Sequence, residues 1–128
     1  MKFSTKAEYG LKAMANLAFC FPEIRSIGDI SREENISFKY LERLAGELRK
    51  KKIVKSRKGK NGGYILARSP DKIKVGEIIE ILEGSFNPMG CESKECFSRQ
   101  CRQRKVWMEL EKQIRKTLYG IKLSDLVK

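Results

Sequence analysis

The 128 residues fit a single domain, and a composition of 41% hydrophobic and 34% charged residues is that of a folded chain rather than a disordered one. The 28 Lys and Arg residues outnumber the 16 Asp and Glu residues, and the resulting net charge of +12 suits a polyanionic partner, most simply a nucleic acid. Histidine is absent, which excludes histidine-based catalytic and metal sites and argues against an enzyme, and no apolar stretch approaches the ~20 residues of a membrane span.

The N-terminal segment MKFSTKAEYGLKAMANLAFCF has apolar residues at helical spacing, but charged residues such as Lys6 and Lys12 interrupt them. A secretory signal needs an unbroken apolar centre and a small-residue cleavage site, so we interpret this segment as part of the fold. The expected location is a reducing cytoplasm, in which cysteines serve as metal ligands or sensors rather than as disulfides.

The first predicted helix begins at Thr5 and stops at Pro22. Thr5 and Glu8 have the spacing of a capping box, in which each side chain accepts a hydrogen bond from the backbone N–H of the other residue. Cys20 lies on the apolar stripe of this helix, and we interpret it as a core residue.

Two more helical signals follow, joined by a short turn. Ser26 and Asp29 cap a short helix that fades by Asn35, and Ser37 caps a longer one with the sequence SFKYLERLAGELRKKK. The predicted buried stripe of the longer helix consists of Leu41, Leu44, Ala45 and Leu48. Two helices in this order, the second with polar residues at its exposed N-terminal end, are typical of a helix-turn-helix.

Residues 53–67, IVKSRKGKNGGYILA, predict a β-hairpin because two short β-prone runs flank a segment rich in turn-forming residues. A hairpin directly after a helix-turn-helix is a wing. Its tip carries Arg57, Lys58 and Lys60, which suit contact with phosphates or entry into a minor groove.

Two amphipathic helices complete the pattern. The first runs from Val75 to a stop at Gly84, with Val75, Ile78, Ile79 and Leu82 facing inward. The second runs from about Arg102 to Tyr119 and carries an apolar stripe of Val106, Trp107, Leu110, Ile114 and Leu118. Its stripe predicts dimerisation, with packing on its own domain as the alternative. The expected fold is mainly α-helical with a small β-hairpin.

Three of the four cysteines, Cys91, Cys96 and Cys101, lie in the segment GCESKECFSRQC. Thiolates are soft ligands that suit an iron–sulfur cluster, zinc or copper(I). A 2Fe–2S cluster needs four protein attachments, so three thiolates require one further ligand. A site with a harder fourth ligand should be labile, which suits a sensor better than an electron carrier.

The stretch ISFKYLERLAGELRKKKIVKSRKGKNGGYILARSPDKIKVGEIIEILEG resembles the Rrf-type (IscR/NsrR-like) family of bacterial winged helix-turn-helix transcriptional regulators. The likeness extends over nearly the whole chain, including the opening MKFSTKAEYG and the cysteine segment. It implies a DNA-binding domain in residues 1–84, a cluster-binding loop in 85–101, and a dimerisation helix and tail in 102–128. The implied protein is a homodimer that binds palindromic promoter sites in double-stranded DNA.

By position, the resemblance makes Cys91, Cys96 and Cys101 the ligands of an iron–sulfur cluster, usually 2Fe–2S. Each gap between these cysteines is one residue shorter than in the better-known members. Arg104 stands where some members have a histidine ligand, and Glu8 stands where other members use an acidic residue of the other subunit. The resemblance therefore makes Glu8 the candidate fourth ligand, and Glu92 or Glu95 could supply a carboxylate locally instead.

Other interpretations remain open at this stage. The three thiols could hold zinc with one carboxylate, or two of them could form a disulfide in a metal-free redox switch. The chain could accordingly be a regulator of the same family that responds to thiol oxidation or to cysteine metabolism. From a different class, it could be a basic RNA-binding protein with a structural zinc.

The first turns of a recognition helix face the base edges, which assigns DNA contacts to Ser37, Lys39, Tyr40, Glu42 and Arg43. Arg43 suits donation to guanine, Glu42 suits acceptance from cytosine, and the ring of Tyr40 could also pack within the protein. The family resemblance adds the wing to the predicted DNA contacts. There, Lys58 occupies the position at which the family usually has an arginine.

Overall fold

The computed structural model describes residues 3–84, 86 and 102–128, and within them five α-helices accompany one two-stranded hairpin. The helices are α1 (Thr5–Cys20), α2 (Ile27–Glu34), α3 (Phe38–Lys50), α4 (Val75–Glu83) and α5 (Arg104–Tyr119), and the strands are β1 (Val54–Arg57) and β2 (Gly63–Leu66). Short 3-10 helices cover Pro70–Lys72 and Leu123–Val127. This is the mainly helical fold with a small hairpin that the sequence predicts.

The caps of the helix-turn-helix are confirmed. The hydroxyl of Ser26 accepts a hydrogen bond from the backbone N–H of Asp29 at 3.0 Å and begins α2. The hydroxyl of Ser37 does the same for the backbone N–H of Tyr40 at 3.2 Å and begins α3. Asn35, in the left-handed conformation, ends α2 and produces the turn between the two helices.

The predicted capping box of α1 is wrong. Ser4, not Thr5, caps this helix, and its hydroxyl accepts a hydrogen bond from the backbone N–H of Ala7 at 3.1 Å. Serine and threonine both favour this position, so the local sequence does not distinguish the two starts. Glu8 consequently lies one residue beyond the capping position and is exposed.

One hydrophobic core joins the helices. Its fully buried side chains include Met14, Ile30, Leu41, Leu44, Ile73, Ile78 and Leu123. Leu123 belongs to the C-terminal segment, which pairs with the approach to α4: the backbone N–H of Leu123 donates to the carbonyl of Ile73 at 2.8 Å, and that of Val75 donates to the carbonyl of Ile121 at 2.9 Å. The end of the chain is therefore part of the same core as the helix-turn-helix. Cys20 is half-buried rather than a full core residue.

Candidate DNA-binding interface and sensor loop

The helix α3 separates a buried face from an exposed one. Its buried residues are the four predicted from the sequence, Leu41, Leu44, Ala45 and Leu48. Of the five residues predicted to contact DNA, Ser37, Lys39, Glu42 and Arg43 are exposed, while Tyr40 is half-buried. The N-terminal part of α3 therefore presents a hydroxyl, both charge signs and an aromatic edge, which are the donors and acceptors that base edges require.

Tyr40 connects α3 to α1. Its ring meets the ring of Tyr9 edge to face, with centroids 5.8 Å apart and planes at 84°. The ammonium group of Lys12 lies 5.5 Å from the centroid of Tyr9 and extends the contact. A second connection is the ion pair between Lys6 Nζ and Glu47 Oε1 at 2.8 Å. The ring of Tyr40 thus has a structural role besides any contact with DNA.

The predicted wing hairpin is present, and both of its strands lie within the predicted residues 53–67. β1 and β2 pair antiparallel, with Val54 opposite Leu66 and Arg57 opposite Gly63. Val54 and Leu66 are buried, so the base of the hairpin is fixed in the core. Arg57, Lys58 and Lys60 are exposed at the turn, where they are free to meet a phosphate backbone.

A residue outside the hairpin extends its sheet. Arg25, just before α2, exchanges backbone hydrogen bonds with Tyr64: the N–H of Arg25 donates at 2.9 Å and the N–H of Tyr64 donates back at 2.7 Å. This approach requires glycine at position 63, because a Cβ there would lie 2.3 Å from the carbonyl oxygen of Arg25. The second glycine of the GGY sequence therefore joins the wing to the helix-turn-helix.

A polar cluster beside Arg25 was not anticipated from the sequence. The side-chain amide of Asn16, which is buried in α1, donates to Glu33 Oε2 at 2.8 Å and to Glu34 Oε2 at 2.9 Å. The guanidinium of Arg25 pairs with the other oxygen of Glu33. A polar Asn16 on the apolar face of α1 was the available signal.

The cluster changes the charge behaviour of its members. The hydrogen bond from Asn16, followed by that from Arg25, holds the pKa of the Glu33 carboxyl below its usual range. The hydrogen bond with Glu33 in turn raises the pKa of Arg25. The pair therefore stays ionised at neutral pH and ties the segment between α1 and α2, which also pairs with β2, to α2.

Of the predicted cluster ligands, only Glu8 lies among the described residues. Cys91, Cys96 and Cys101 lie outside the described residues, as do Glu92 and Glu95. Glu8 is described, and its side chain is exposed in the first turn of α1. Among residues 3–84, 86 and 102–128, no group of three or more His, Cys, Asp or Glu residues could hold a metal ion. An exposed carboxylate on α1 is compatible with the expected set of three thiolates and one oxygen ligand.

The helix α5 contains no buried residue, although its apolar stripe was predicted. Val106 is 59% exposed, and Trp107, Leu110, Ile114 and Leu118 are only half-buried. Its basic first turn, with Arg104 and Lys105, is exposed as well. Ile114 and Leu118 pack against the described core, so the open part of the stripe is its N-terminal half. An open apolar surface on a helix is typical of a contact with another protein chain.

The C-terminal end of α5 is fixed to α4 by Tyr119. The phenol of Tyr119 donates to Glu80, and Arg115 Nη2 donates to the other oxygen of Glu80 at 3.0 Å. The guanidinium of Arg115 lies 5.3 Å from the centroid of the buried Phe86 ring. Burial, aided by the hydrogen bond to Glu80, raises the pKa of Tyr119 to about 12.

No helix in the described part of the chain is sufficiently long and apolar to span a bilayer.

Comparison with known proteins gives a consistent result. The family model described as "Rrf2: Iron-dependent Transcriptional regulator" matches residues 3–128. The HTH-type transcriptional regulator CymR of Bacillus subtilis is 37% identical over 127 residues, which are 98% of this chain and 89% of that protein.

Two solved structures show that the similarity extends to the three-dimensional fold. The structure of B. subtilis CymR, the global cysteine regulator, matches with a TM-score of 0.84 and 34% identity, covering 99% of this chain and 96% of that chain. The structure of T. potens IscR matches with a TM-score of 0.82 and 41% identity, covering 99% of this chain and 86% of that chain. These relatives are regulators rather than enzymes, which agrees with the expectation from composition, and they displace the RNA-binding alternative.

Proposed function

The chain belongs to the Rrf2 family of transcriptional regulators, and from this premise we propose that it binds palindromic promoter DNA as a homodimer under the control of an iron–sulfur cluster. The proposed cluster is a 2Fe–2S cluster. The wing and α3 supply the DNA contacts, and the open stripe of α5 supplies the contact between subunits.

One observation carries the sensing part of the proposal. The helix α1, which bears Glu8, touches the recognition helix α3 at the Tyr9–Tyr40 ring contact and at the Lys6–Glu47 ion pair. Glu8 lies within one helical turn of Lys6 and Tyr9, the two α1 residues that contact α3, so a ligand bound at Glu8 acts close to these contacts. The half-buried ion pair and the aromatic contact are each worth about 1 kcal/mol, so both connect α1 with α3.

The donor set suits such a cluster. Cys91, Cys96 and Cys101 would provide three thiolates, and the exposed Glu8 of the second subunit would provide a carboxylate. The exposed Arg102 would offset the negative charge of the bound thiolates and favour their ionised form. When bound, a cluster of this kind supplies a centre that oxidants or loss of iron disrupt.

The residues of the chain then convert occupancy into a DNA signal. When the cysteine segment of one subunit holds Glu8 of the other, α1 is fixed relative to α5 of the first subunit. The position of α3 is then fixed as well, because Tyr40 of α3 packs against Tyr9 of α1. With Glu8 released, the two recognition helices of the dimer lose this restraint and their spacing changes. The proposal thus predicts a difference in affinity for the same duplex between the two states.

The first test is the cluster itself. Protein purified without oxygen should show visible charge-transfer absorption and contain about two iron and two sulfide per chain. Cys96→Ala should abolish both. Cys20→Ser is the matched control, because Cys20 is a half-buried thiol of α1 outside the loop, and it should leave the spectrum unchanged. A colourless protein that contains zinc, or no metal after reconstitution, contradicts the proposal.

The second test is the coupling to DNA. Duplexes selected by the cluster-loaded protein should bind the cluster-free protein at least 10-fold more weakly or with altered half-site spacing. Glu8→Ala should reproduce the cluster-free behaviour, and Glu23→Ala, at another exposed carboxylate, should not. Equal binding by the loaded and cluster-free proteins would sink the sensing mechanism and leave DNA binding intact.

A metal-free regulator is the second candidate. The observation in its favour is the similarity, over nearly the whole chain, to CymR, the global cysteine regulator of B. subtilis. In that case the thiols respond to oxidation or the protein responds to cysteine metabolism through a partner. Iron-free protein whose DNA binding changes on mild thiol oxidation, and recovers on reduction, would favour this candidate.

A further inference from the structure

Phe38 is an exposed aromatic residue at the start of the recognition helix. It is the first residue of α3, and 51% of its surface is open to solvent. The buried face of α3 consists of other residues, and Phe38 is not among the partly buried side chains that pack on the described core. Packing within the described chain therefore does not account for an aromatic residue at this position.

The backbone holds Phe38 in a fixed orientation. The hydroxyl of Ser37 accepts from the N–H of Tyr40 at 3.2 Å, and the carbonyl of Ser37 accepts from the N–H of Leu41 at 3.0 Å. These bonds enclose Phe38 in the first turn of α3. In a helix-turn-helix, this turn is the part of the recognition helix that faces base edges.

The surroundings of Phe38 select the kind of partner. Its exposed neighbours are Ser37, Lys39 and Glu42, so the ring is a single apolar group on a polar surface. The other large exposed hydrophobic residues of the described chain are Phe3, Phe19, Val106, Met108 and Leu126, none of which belongs to α3. A protein or membrane partner would use a contiguous apolar patch, whereas a single ring on a polar surface suits one apolar point on DNA.

The major groove contains one such point. The C5-methyl group of thymine is the apolar feature that distinguishes base pairs there, and phenylalanine is among the side chains that contact it. We propose that Phe38 contacts a thymine methyl group and is a specificity-determining residue of this protein. The inference rests on the DNA-binding part of the proposed function.

The experiment removes the methyl group and the ring separately. Full-length protein, purified without oxygen, first selects duplexes from a random-sequence library. In the best duplex, each thymine is then replaced singly by uracil, which lacks only the methyl group, and Kd is measured by fluorescence anisotropy. For the unaltered protein, one uracil in a half-site should weaken binding roughly 4-fold, the effect of exposing about one methyl group.

The variants decide whether Phe38 is responsible. Phe38→Ala should bind the thymine duplex more weakly by a similar or larger factor and should not distinguish thymine from uracil. Phe38→Leu keeps an apolar side chain and should retain most of the discrimination. Phe19→Ala is the matched control, because it removes another exposed phenylalanine, 76% open, from α1, and it should behave as the unaltered protein.

Each contrary outcome is distinguishable. Discrimination against uracil that persists in Phe38→Ala, or absence of any uracil-sensitive thymine, overturns the role of Phe38 while DNA binding stands. If no duplex sequence is enriched, the DNA-reading interface fails together with this inference. Circular dichroism and thermal unfolding check each variant. If Phe38→Ala does not fold, Phe38→Gln decides the matter, because it also removes the ring and should lose the discrimination between thymine and uracil.

Discussion

The helices α3 and α5 both have clear amphipathic patterns, but their apolar stripes are buried to different degrees. All four residues of the predicted stripe of α3 are buried, with Leu41 and Leu44 each 1% exposed. The stripe of α5 is longer, yet no residue of that helix is buried, and Val106 at its N-terminal end is 59% exposed. The same sequence pattern therefore leads to full burial in α3 and, in α5, to a stripe that packs on the core only at its C-terminal end.

The difference follows from where the covering residues are. The elements that cover α3 include α1, α2 and β1 of the same chain. Within the described chain, α5 is covered mainly by α4, and Tyr119 and Arg115 fasten only its C-terminal half. An amphipathic helix buries its stripe only against a complementary surface, so the open stripe of α5 supports the proposed contact with a second subunit.

The largest expected effect is on the buried side of this comparison. Leu44→Ala removes three buried carbons from the centre of α3 and should lower the free energy of unfolding by ~2–5 kcal/mol. Lys50→Ala, at an exposed position of the same helix, should change it by less than ~0.5 kcal/mol. Urea unfolding followed by circular dichroism measures both. A small loss for Leu44→Ala would mean that α3 is not the packed helix described above.

The open stripe calls for the opposite test. Val106→Glu with Leu110→Glu introduces two negative charges into the stripe and should weaken self-association by about 100-fold or more without unfolding the helices. Lys112→Glu changes the net charge by the same two units elsewhere on α5 and is the matched control. Sedimentation velocity at several concentrations measures the effect. Unchanged self-association of the doubly substituted protein would place the subunit contact elsewhere.

The comparison also explains what could be predicted from the sequence. The stripe of α3, the caps at Ser26 and Ser37 and the stop at Gly84 depend on residues near each other in the chain, and all are confirmed. The cap of α1 was displaced by one residue because Ser4 and Thr5 are chemically equivalent caps.

Long-range features were the ones that local patterns did not reveal. The burial of Leu123 depends on pairing between the C-terminal segment and the residues before α4, and a segment of five residues has no readable period. The polar cluster of Asn16, Arg25 and Glu33 joins residues from three places in the sequence. In the candidate interface, periodicity predicted which face of α3 is exposed, but not the contact of Tyr40 with Tyr9.

A third prediction separates α3 from the wing within the DNA interface. Arg43→Ala should cost ~1–3 kcal/mol at one base-pair position and relax the sequence preference there. Lys58→Ala should weaken binding to specific and random duplexes alike and reduce the slope of log K against log salt by about one. Anisotropy titrations at several salt concentrations distinguish the two. Equal losses on both kinds of duplex for both variants would contradict the division between reading and positioning.

The smallest effect concerns the attachment of α5. The pKa of Tyr119 is raised to about 12, first by burial and then by the hydrogen bond to Glu80, whereas an unfolded tyrosine titrates near 10.0. Because the folded pKa is the higher one, the stability that this bond contributes is complete below pH ~10 and is lost as the pH rises toward 12. Phenolate absorbance should therefore show a late step near pH 12, and Tyr119→Phe should remove that step. A late step that survives in Tyr119→Phe would assign it to another tyrosine and contradict the buried, hydrogen-bonded phenol described for Tyr119.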